Sequence, residues 1–562
     1  MSFDLRNKIN PNIHSIRDER VTDYFCPVKI LWQYTGEGAE VENSEVLLRE
    51  PIGQATLEAG ELCILRNHDQ KAGILLDFGI EMQGGIQLVT HLTGGKVRVR
   101  FGESAMEAMS DVGQKGATND HAIRDGIYAV SWLGMTAIGN TGFRFCRIDL
   151  EGENCELHLK SVRAAMTYRD IPCLGSFECD DERLNAIWRT AAYTVQLNMQ
   201  EYVWDGVKRD RLVWIGDMHP EVSTIDYVFG QQNCVEKSLD LAKNNTPVPQ
   251  VMNGIPAYSL WWILIQRDHY LHTGDRDYLE KQHDYIVQTV RYFSTLIAEN
   301  GESLIENNFL DWPSSVNPEG QKAGVQALFV LSMKAAADIL NHLSDTENAV
   351  FAAKCAEKLR QHVVDANGLK QAAALQVLAG QIDAGFAYDD LLGKNGVHGF
   401  STFLGYYILK AIAEAGQIDF ALNCIREYWG AMLDLGATTF WEDFDIDWTE
   451  NCSRVDELLP EDSDKKDIHG DFGGYCYSGY RHSFCHGWAS GPAPFLMQYV
   501  LGIMPIADGC KRIRLTPQLG SLQYAKGSFP TPKGLVTVCC EKQPDGTVDV
   551  RYTAPDGIEI VF

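Results

Sequence analysis

Apolar residues occupy every second position along much of residues 50–170, on both sides of a Gly94-Gly95 pair. The positions that carry this alternation are Ile86, Leu88, Thr90, Val97, Val99 and Phe101. Because successive side chains of a strand point to opposite faces, the pattern predicts strands with one buried face, joined at the two glycines as a β-hairpin. Residues 1–172 are therefore predicted to form an N-terminal antiparallel β-sandwich region, least regular over residues 1–50.

The spacing of apolar residues changes to three and four after Asp181. Six residues then mark one face of a helix, namely Leu184, Ile187, Trp188, Ala191, Val195 and Met199. Further helical runs are predicted at 221–243, 259–272, 276–299, 323–343, 347–364, 400–414, 417–434 and 486–502. Nine helices in succession without a strand pattern between them predict an all-α domain over residues 173–505.

Alternation returns after Pro505 and continues to the end of the chain. It is carried by Ile513, Leu515, Val536, Val538, Cys540, Val548, Val550, Tyr552, Ile558 and Ile560. The Asp545-Gly546 pair is a strong signal for a two-residue hairpin turn. Residues 506–562 are therefore predicted to form a small C-terminal β-domain, which makes the protein multidomain.

The densest group of reactive side chains runs from Asp205 to Asp217, where three carboxylates, two arginines and an indole fall within thirteen positions. Cleavage of a glycosidic bond commonly needs one carboxylic acid to protonate the leaving oxygen and a second carboxylate to activate water or attack the sugar. Glu442, next to Trp441, is the candidate for the second group, because aromatic faces bind the apolar faces of sugar rings. The alternative is that such charges pair with one another or are solvated.

These residues resemble the motifs of the bacterial α-L-rhamnosidases, glycoside hydrolase family 78. Asp205–Asp217 resembles Asp-Cys-Pro-x-Arg-Asp-Glu-Arg-Leu-Gly-Trp-x-Gly-Asp, with Gly206-Val207 in place of Cys-Pro and Asp210-Arg211-Leu212 one residue shorter than Asp-Glu-Arg-Leu. The resemblance extends over roughly residues 70–562. Its other elements are Asp77–Gly79, Val99–Glu103, Gly142–Phe145, Gly175–Cys179, Thr438–Glu442, Ser483–Trp488 and Lys511–Pro517.

The resemblance implies an (α/α)6-barrel catalytic domain flanked by antiparallel β-sandwich domains, and an inverting mechanism. Glu442 stands at the position of the general base. Asp210 is the carboxylate left at the shortened point of the acidic signature, so it inherits the role of general acid. If Asp210 instead pairs with a neighbouring arginine, Asp217 or Glu221 is the alternative acid.

The same resemblance assigns sugar contacts to Asp205, Arg209, Trp214 and Asp217, with ion pairing among themselves as the alternative. Tyr258, Trp261 and Trp312 are candidates for the wall that receives the C6 methyl of a deoxy sugar, although tryptophans on such helices are commonly plain core. His486 is predicted to bind a sugar hydroxyl or water, with a satisfied core histidine as the alternative.

The net charge of −27 argues against binding to nucleic acid, whose phosphates require clustered Lys and Arg, and against an anionic membrane surface. We expect a carbohydrate substrate and no cofactor or metal, since the spacing of His469-Gly-Asp471, His482 and His486 fits no standard ligand set. Homo-oligomerisation is left open. Fifteen cysteines without a Cys-x-x-Cys pair fit free thiols. No apolar run reaches the length of a secretory or membrane-spanning segment, so a cytoplasmic location is expected.

The predicted function is that of an inverting α-L-rhamnosidase acting from the non-reducing end. Two alternatives remain at this stage. One is an inverting (α/α)6 hydrolase of different sugar specificity. The other is a carbohydrate-binding or sensor protein that kept the pocket and lost the acid.

Overall fold

Strands occupy both ends of the chain and helices its middle in the computed structural model, which describes residues 6–562 apart from positions 11, 15 and 35. The strands are β1 Val21–Phe25, β2 Lys29–Gln33, β3 Ala39–Glu42, β4 Cys63–Asn67, β5 Gly73–Thr90, β6 Gly95–Gly102, β7 Asp125–Val130, β8 Gly134–Glu151, β9 Cys155–Tyr168, β10 Ser176–Cys179, β11 Ile503–Pro505, β12 Arg512–Leu515, β13 Tyr524–Thr531, β14 Gly534–Lys542, β15 Val548–Thr553 and β16 Glu559–Val561. The α-helices are α1 Arg6–Ile9, α2 Ala105–Met109, α3 Glu182–Asn198, α4 Met218–Val228, α5 Asn233–Asn245, α6 Pro256–Thr273, α7 Arg276–Ser294, α8 Pro318–His342, α9 Thr346–Gln361, α10 Lys370–Leu378, α11 Ala384–Ala387, α12 Gly405–Glu414, α13 Ile418–Asp434 and α14 Pro492–Phe495.

The N-terminal strands form one antiparallel sheet in the order β3-β4-β9-β5-β8-β6-β7, with β1 paired to β9 and β2 to β5. The hairpin predicted at Gly94-Gly95 is wrong, because β5 and β6 lie on opposite edges of β8 and pair with it. Alternation reveals which face of a strand is buried. It does not reveal which strand lies beside it, and so the turn signal was assigned to the wrong neighbours.

In the middle region α3 contacts α4, α7 contacts α8, α8 contacts α9, α12 contacts α13, and α13 contacts α3. The even-numbered helices also contact one another in succession, from α4 through α6, α8, α10 and α12 to α14, and α14 contacts α4 again. Connections that lead into even-numbered helices are mostly long, whereas those that leave them are short. Because alternate helices run in opposite directions, the long connections lie together at one end of the ring.

Three helix predictions need correction. The predicted helix 221–243 is two helices, since the chain breaks at Gly230, whose φ of 71° is in the left-handed region. α10 was not predicted because its residues are buried on nearly every side, which removes the apolar stripe. The predicted helix 486–502 consists of short pieces, a 3₁₀ turn at Gly487–Ser490, α14 and a π turn at Leu496–Val500.

One helix is longer and more apolar than the sequence analysis allowed. α8 reaches a mean hydropathy of 1.4, and 83% of the 18-residue window that qualifies is buried inside the protein. Its length and composition match those of a membrane span, and it packs against α6, α7, α9 and α10. In this fold it is a core helix.

Two small sheets contain the C-terminal strands. β14 and β15 pair antiparallel across Asp545-Gly546, which confirms the predicted hairpin. The sheet continues through β13 to β10, a strand that lies just before α3. In the second sheet β12 pairs antiparallel with β11 and parallel with β16. The C-terminal strands are thus joined to strands from both ends of the helical region.

The hydrophobic core of the N-terminal sheet includes three residues that belong to the helical region, Leu197, Val207 and Cys485. Val207 lies within the acidic signature and Cys485 directly precedes His486. Gly142 of β8 permits this approach, because a Cβ at that position would lie 2.7 Å from Val207 Cγ2 and 2.9 Å from the Lys208 nitrogen. The sheet therefore supports the predicted site from behind.

Candidate active site

A cavity of about 310 Å³ lies at the end of the helical ring where the even-numbered helices begin. Nine of the ten predicted site residues line it. Its walls are His121, Asp205, Arg209, Asp210, Trp214, Asp217, Ile255, Tyr258, Phe309, Trp312, Glu442, Cys476, Tyr477, Arg481, His486 and Trp488. They come from the connections before α4, α6, α8 and α14 and, in the case of His121, from the N-terminal region.

The acidic signature forms a tight loop that closes on Asp205. Its carboxylate accepts a hydrogen bond from the Leu212 nitrogen at 2.9 Å, and its own nitrogen donates to the Leu212 carbonyl at 3.1 Å. Asp210 and Arg211 both have a φ of 56°, a left-handed conformation that costs about 1–2 kcal/mol for a residue with a side chain. This loop places the Asp210 carboxyl in the cavity.

Three donors surround the Asp210 carboxyl. The Trp214 indole Nε1 donates to Oδ2 at 2.9 Å, while His121 Nε2 lies 3.3 Å and Arg209 Nη1 3.5 Å from Oδ1. The side chain remains 17% exposed. Asp210 therefore faces the cavity, but it also forms an ion pair with Arg209, the arrangement for which the sequence analysis named Asp217 or Glu221 as the alternative acid.

Glu442 is held more rigidly. Arg209 Nη2 donates to Oε1 and the Ser483 nitrogen donates to Oε2 at 3.3 Å. The Glu442 carbonyl accepts hydrogen bonds from Thr402 Oγ1 at 2.6 Å and Trp488 Nε1 at 2.8 Å. Burial raises the pKa of this carboxyl to about 7, against the opposing effect of the Arg209 guanidinium.

Arg209 thus contacts both predicted catalytic carboxyls, one through each terminal nitrogen. A guanidinium group stands between Asp210 and Glu442, and the two carboxyls face the same cavity. The Cζ atom of Arg209 lies 5.1 Å from the centre of the Tyr477 ring. This stacking keeps the guanidinium in the plane that allows both contacts.

Asp205 and Asp217 line the floor of the cavity on either side of His486. The imidazole Nε2 lies 3.7 Å from Asp205 Oδ2, 3.8 Å from Asp217 Oδ2 and 3.5 Å from Glu442 Oε1. Burial raises the pKa of both aspartates well above the ordinary value and lowers the pKa of His486 well below it. Burial thus favours the protonated form of the two aspartates and the neutral form of the imidazole.

Glu221, one of the two alternative acids, is not among the lining residues. Among the described residues neither of its carboxylate oxygens has a hydrogen-bond partner, and burial raises its pKa well above the ordinary value. It packs against Gly487, where a Cβ would come within 1.8 Å of Oε1. Glu221 lies behind the floor, whereas Asp217 faces the cavity and accepts a hydrogen bond from the Tyr258 hydroxyl at 2.8 Å.

Aromatic rings form the side walls. The Trp214 and Tyr258 rings meet edge to face at 6.0 Å, and Phe309 and Trp312 do so at 5.2 Å. Trp312 is 38% exposed at the rim. These four rings give the cavity an apolar wall, and two of them, Trp214 and Tyr258, also hydrogen-bond to its carboxyls.

Two tryptophans do not lie where the sequence analysis placed them. Trp261 is 1% exposed and packs in the core against His219, Phe403 and Tyr407. It sits one helical turn below Tyr258, so the three-residue spacing placed the two side chains along one face of α6 but at different depths. Trp441 is also 1% exposed and stacks on Phe484 at 4.1 Å. Neither indole lines the cavity.

Seven lining residues were not predicted, namely His121, Ile255, Phe309, Cys476, Tyr477, Arg481 and Trp488. Cys476, Tyr477 and Arg481 belong to the stretch between α13 and α14, whose unusual length was a signal that the sequence analysis did not use. Trp488 was quoted within the Ser483–Trp488 element without a role. His121 has no local signal, since it reaches the cavity from the loop before β7.

A second group of polar side chains lies behind the cavity. Glu103, Glu107 and His469 are buried close enough together to hold a metal ion. The Lys208 ammonium lies among them, 2.9 Å from Glu103 Oε2 and 3.3 Å from Glu107 Oε1. A resident cation of the protein itself therefore occupies the position that a metal would take.

Comparison with known proteins bears on the fold and the family. Residues 172–376 match the bacterial α-L-rhamnosidase six-hairpin glycosidase domain, and residues 502–561 match the bacterial α-L-rhamnosidase C-terminal domain. The acidic signature falls within the first match, whereas Glu442 and His486 fall between the two. No curated protein sequence matches the chain.

Solved structures with the same fold include several rhamnosidases. The family 78 rhamnosidase of Bacillus sp. GL1 has a TM-score of 0.74 and 23% identity, over 92% of this chain and 55% of that one. The Klebsiella oxytoca rhamnosidase with rhamnose bound has a TM-score of 0.67 and 19% identity, over 86% and 96%. The Streptomyces avermitilis α-L-rhamnosidase complexed with L-rhamnose has a TM-score of 0.69 and 17% identity, over 89% and 50%.

This chain spans about half the length of the Bacillus and Streptomyces proteins and nearly all of the Klebsiella protein. At these identities the likeness concerns the fold. Together with the two domain matches, it confirms the resemblance that the motifs indicated: the chain carries the six-hairpin glycosidase domain and the C-terminal domain of the bacterial α-L-rhamnosidases.

Proposed function

We propose that this protein is an inverting α-L-rhamnosidase that releases terminal α-L-rhamnose. The observation that carries the proposal is the pair of carboxyls, Asp210 and Glu442, on one cavity with Arg209 between them. The family of the two matched domains supports rhamnose as the sugar. We also infer that the six helix pairs form an (α/α)6 barrel with this cavity at its open end, since the even-numbered helices close a ring of contacts.

In an inverting reaction the base activates water on the face of the sugar opposite the leaving group, and the two carboxyls stand about 6.5–9.5 Å apart to admit that water. Glu442 suits the base because Arg209 and the Ser483 nitrogen favour its ionised form and fix its orientation. As the water attacks, its proton passes to Glu442. The Arg209 guanidinium contacts both carboxyls and fixes their positions at the cavity, which has a volume of about 310 Å³.

Asp210 suits the acid because its carboxyl is accessible from the cavity and Trp214 fixes its orientation. It gives its proton to the glycosidic oxygen, and the aglycone leaves as the alcohol. Asp217 remains the alternative acid, but its Oδ1 is already bound by Tyr258 and its side chain is almost fully buried.

Recognition of the sugar divides between the floor and the walls. The carboxyls of Asp205 and Asp217 can accept hydrogen bonds from sugar hydroxyls, and the protonated form, which burial favours, can also donate one. The rings of Trp214, Tyr258, Phe309 and Trp312 offer an apolar surface for the ring face and the C6 methyl. The Klebsiella and Streptomyces structures, described with rhamnose bound, support L-rhamnose as the ligand of such a cavity.

A panel of aryl glycosides tests the proposal. We expect turnover of the aryl α-L-rhamnoside with release of β-L-rhamnose, which proton NMR distinguishes from the α anomer in the first minutes. Turnover of a different glycoside alone would overturn the specificity, and binding of L-rhamnose without any turnover would favour a sensor protein. Appearance of the α anomer first would overturn the inverting mechanism.

The acid is tested by Asp210→Asn. This variant should lose most activity, on the order of 100-fold, on rhamnosides with poor leaving groups and little on activated aryl rhamnosides, which need little protonation. Asp217→Asn is the matched control, with a uniform loss across leaving groups if it only binds the sugar. The opposite pattern would transfer the role of acid to Asp217.

A further inference from the structure

Four buried polar residues lie between the N-terminal sheet and the cavity: Glu103 at the end of β6, Glu107 in α2, Lys208 in the acidic signature and His469 in the stretch before α14. We call them the buried charge cluster. Their side chains are at most 8% exposed, and they do not line the cavity. They have no part in the proposed reaction itself.

Lys208 uses all of its donors within this cluster. An ammonium group has three N–H bonds. Its three shortest contacts are to the His482 carbonyl at 2.6 Å, the Tyr480 carbonyl at 2.9 Å and Glu103 Oε2 at 2.9 Å. Two of the three acceptors are thus backbone groups of one segment, residues 480–486.

Glu103 binds the same segment from the side of the N-terminal sheet. Its Oε2 accepts a hydrogen bond from the Phe484 nitrogen at 2.6 Å, and its Oε1 accepts one from the Ser483 hydroxyl at 3.3 Å. Lys208 and Glu103 therefore hold four of the five positions 480–484, all except Arg481.

Segment 480–486 in turn holds the residue proposed as general base. The Ser483 nitrogen donates to Glu442 Oε2, and the Glu442 nitrogen donates to the Ser483 carbonyl at 3.0 Å. On either side, the Asp443 nitrogen donates to His482 Nε2 and the His486 nitrogen donates to the Phe440 carbonyl, both at 2.9 Å. The position of Glu442 thus depends on where this segment lies.

The buried charge cluster acts through directional hydrogen bonds rather than through apolar packing. Burial alone would lower the pKa of the Lys208 ammonium, but Glu103 and Glu107 outweigh it and raise that pKa. The ammonium therefore stays charged in a dry environment, where its hydrogen bonds are strong and have a defined geometry. An apolar side chain of the same size would remove this donor from both carbonyls and leave the His482 carbonyl with His469 Nε2, at 2.9 Å.

We propose that Lys208 and Glu103 are positioning residues for Glu442, acting through segment 480–486, so that the N-terminal sheet helps to set the geometry of the active site. This inference rests on the proposed function, since it assigns Glu442 the role of base. Its structural part, the hold on the segment, does not depend on catalysis.

The test compares Lys208→Met, which keeps the length of the stem and removes the ammonium, with Arg100→Met. Arg100 is equally buried in the N-terminal sheet and pairs with Asp149 at 2.5 Å, but it has no contact with the segment. We expect Lys208→Met to lower kcat on an aryl rhamnoside by about 10–100-fold with little change in KM, because small misplacements of a catalytic group are costly. Arg100→Met should leave kcat near the wild-type value.

A pH profile separates positioning from loss of folded protein. The Ser483 N–H lowers the pKa of Glu442, so losing it should move the acid limb of kcat/KM to higher pH in Lys208→Met and not in Arg100→Met. The charged and titratable groups that face Glu442 are Arg209, His486, Asp205, Asp210, Asp217, Asp443, Cys476 and Tyr477, and both variants leave all of them in place.

Hydrogen exchange gives a readout that needs no activity. Peptides covering residues 480–486 should exchange faster in Lys208→Met and, to a smaller extent, in Glu103→Gln, which serves if Lys208→Met does not fold. Exchange and pH limb identical to those of Arg100→Met would overturn the inference. A wild-type protein that cleaves no glycoside, with exchange still accelerated in both variants, would instead overturn the proposed function and leave the hold on the segment standing.

Discussion

Buried carboxyl groups occupy two neighbouring regions of this protein, the cavity and the buried charge cluster behind it, and the two regions balance their charge differently. In the cavity Arg209 contacts Glu442 and Asp210, whereas among the described residues Asp205 and Asp217 have no Lys or Arg within ion-pair distance. In the cluster, Glu103 and Glu107 have Lys208 between them, and the Arg124 Nε lies 3.8 Å from Glu107.

This difference in charge balance distinguishes the cavity, where the proposed reaction takes place, from the buried charge cluster, which holds the neighbouring backbone in position. A buried carboxyl without a nearby cation holds its proton, because desolvation penalises the charged form. The cavity therefore contains carboxyls whose pKa is raised, to about 7 for Glu442, whereas in the cluster Glu103 and Glu107 keep the Lys208 ammonium charged so that it directs hydrogen bonds. Side chains that are equally buried thus take part in the proposed reaction in the cavity and hold segment 480–486 in place in the cluster.

The largest effect is expected from Glu442→Gln, which removes the proposed base and keeps its shape. The amide cannot accept the proton of water, so kcat should fall by about 10²–10⁴-fold. Binding of L-rhamnose, measured by calorimetry, should persist because the floor and walls are unchanged. Activity close to the wild-type level would remove Glu442 from the mechanism.

The comparison itself is tested by the stability of two variants. Lys208→Met leaves two buried carboxylates without their main partner and should cost about 3–5 kcal/mol. Asp217→Asn replaces a carboxyl whose protonated form is favoured by burial with a neutral amide of the same shape, so the free energy of unfolding should change by less than about 1 kcal/mol. Chemical denaturation at pH 7 measures both, and equal losses would contradict the distinction between the two regions.

Much of this architecture was predictable because it follows from the spacing of apolar residues along short stretches of the sequence. The first helix, the hairpin at Asp545-Gly546 and most of the longer helices follow from the spacing of apolar residues. The partners of β5 and β6 do not, since pairing depends on contacts far apart in the sequence. α10 was also not predicted, because a helix that is buried on nearly every side lacks the contrast between an apolar and a polar face from which helices are predicted.

The candidate site was predictable where it lies in contiguous motifs and not where it is assembled in space. Asp205, Arg209, Asp210, Trp214 and Asp217 lie on one loop, and Glu442 follows a second recognisable element. His121 arrives from the N-terminal region, over eighty residues before the acidic signature, and no local pattern marks it. The misplacement of Trp261 has the converse cause, since position along a helix face does not give depth in the core.

A tenfold loss per pH unit is expected on the acid side of the activity profile. Burial raises the pKa of Glu442 to about 7, and the base must be ionised, so kcat/KM should fall as the pH drops below about 7. The free energy of unfolding should change with pH in the opposite direction. A carboxyl whose pKa is raised on folding stabilises the fold below its ordinary pKa, and this contribution is lost as the pH rises through about 7. An acid limb near pH 4–5 would show that Glu442 is not the titrating group.

The smallest expected effect concerns His121, the one cavity residue supplied by the N-terminal region. Its Nε2 lies 3.3 Å from Asp210 Oδ1, so His121→Ala should remove one ion-pair contact, about 1 kcal/mol at most, from the proposed acid. We expect about a fivefold loss of kcat/KM on rhamnosides with poor leaving groups and less on activated ones. Ile123→Ala, in the same loop and outside the cavity lining, is the control and should leave both rates unchanged. If His121→Ala loses activity equally on all leaving groups, then the N-terminal region contributes to sugar binding rather than to the acid. The N-terminal region would then support only one of the two proposed catalytic carboxyls, Glu442, through the buried charge cluster.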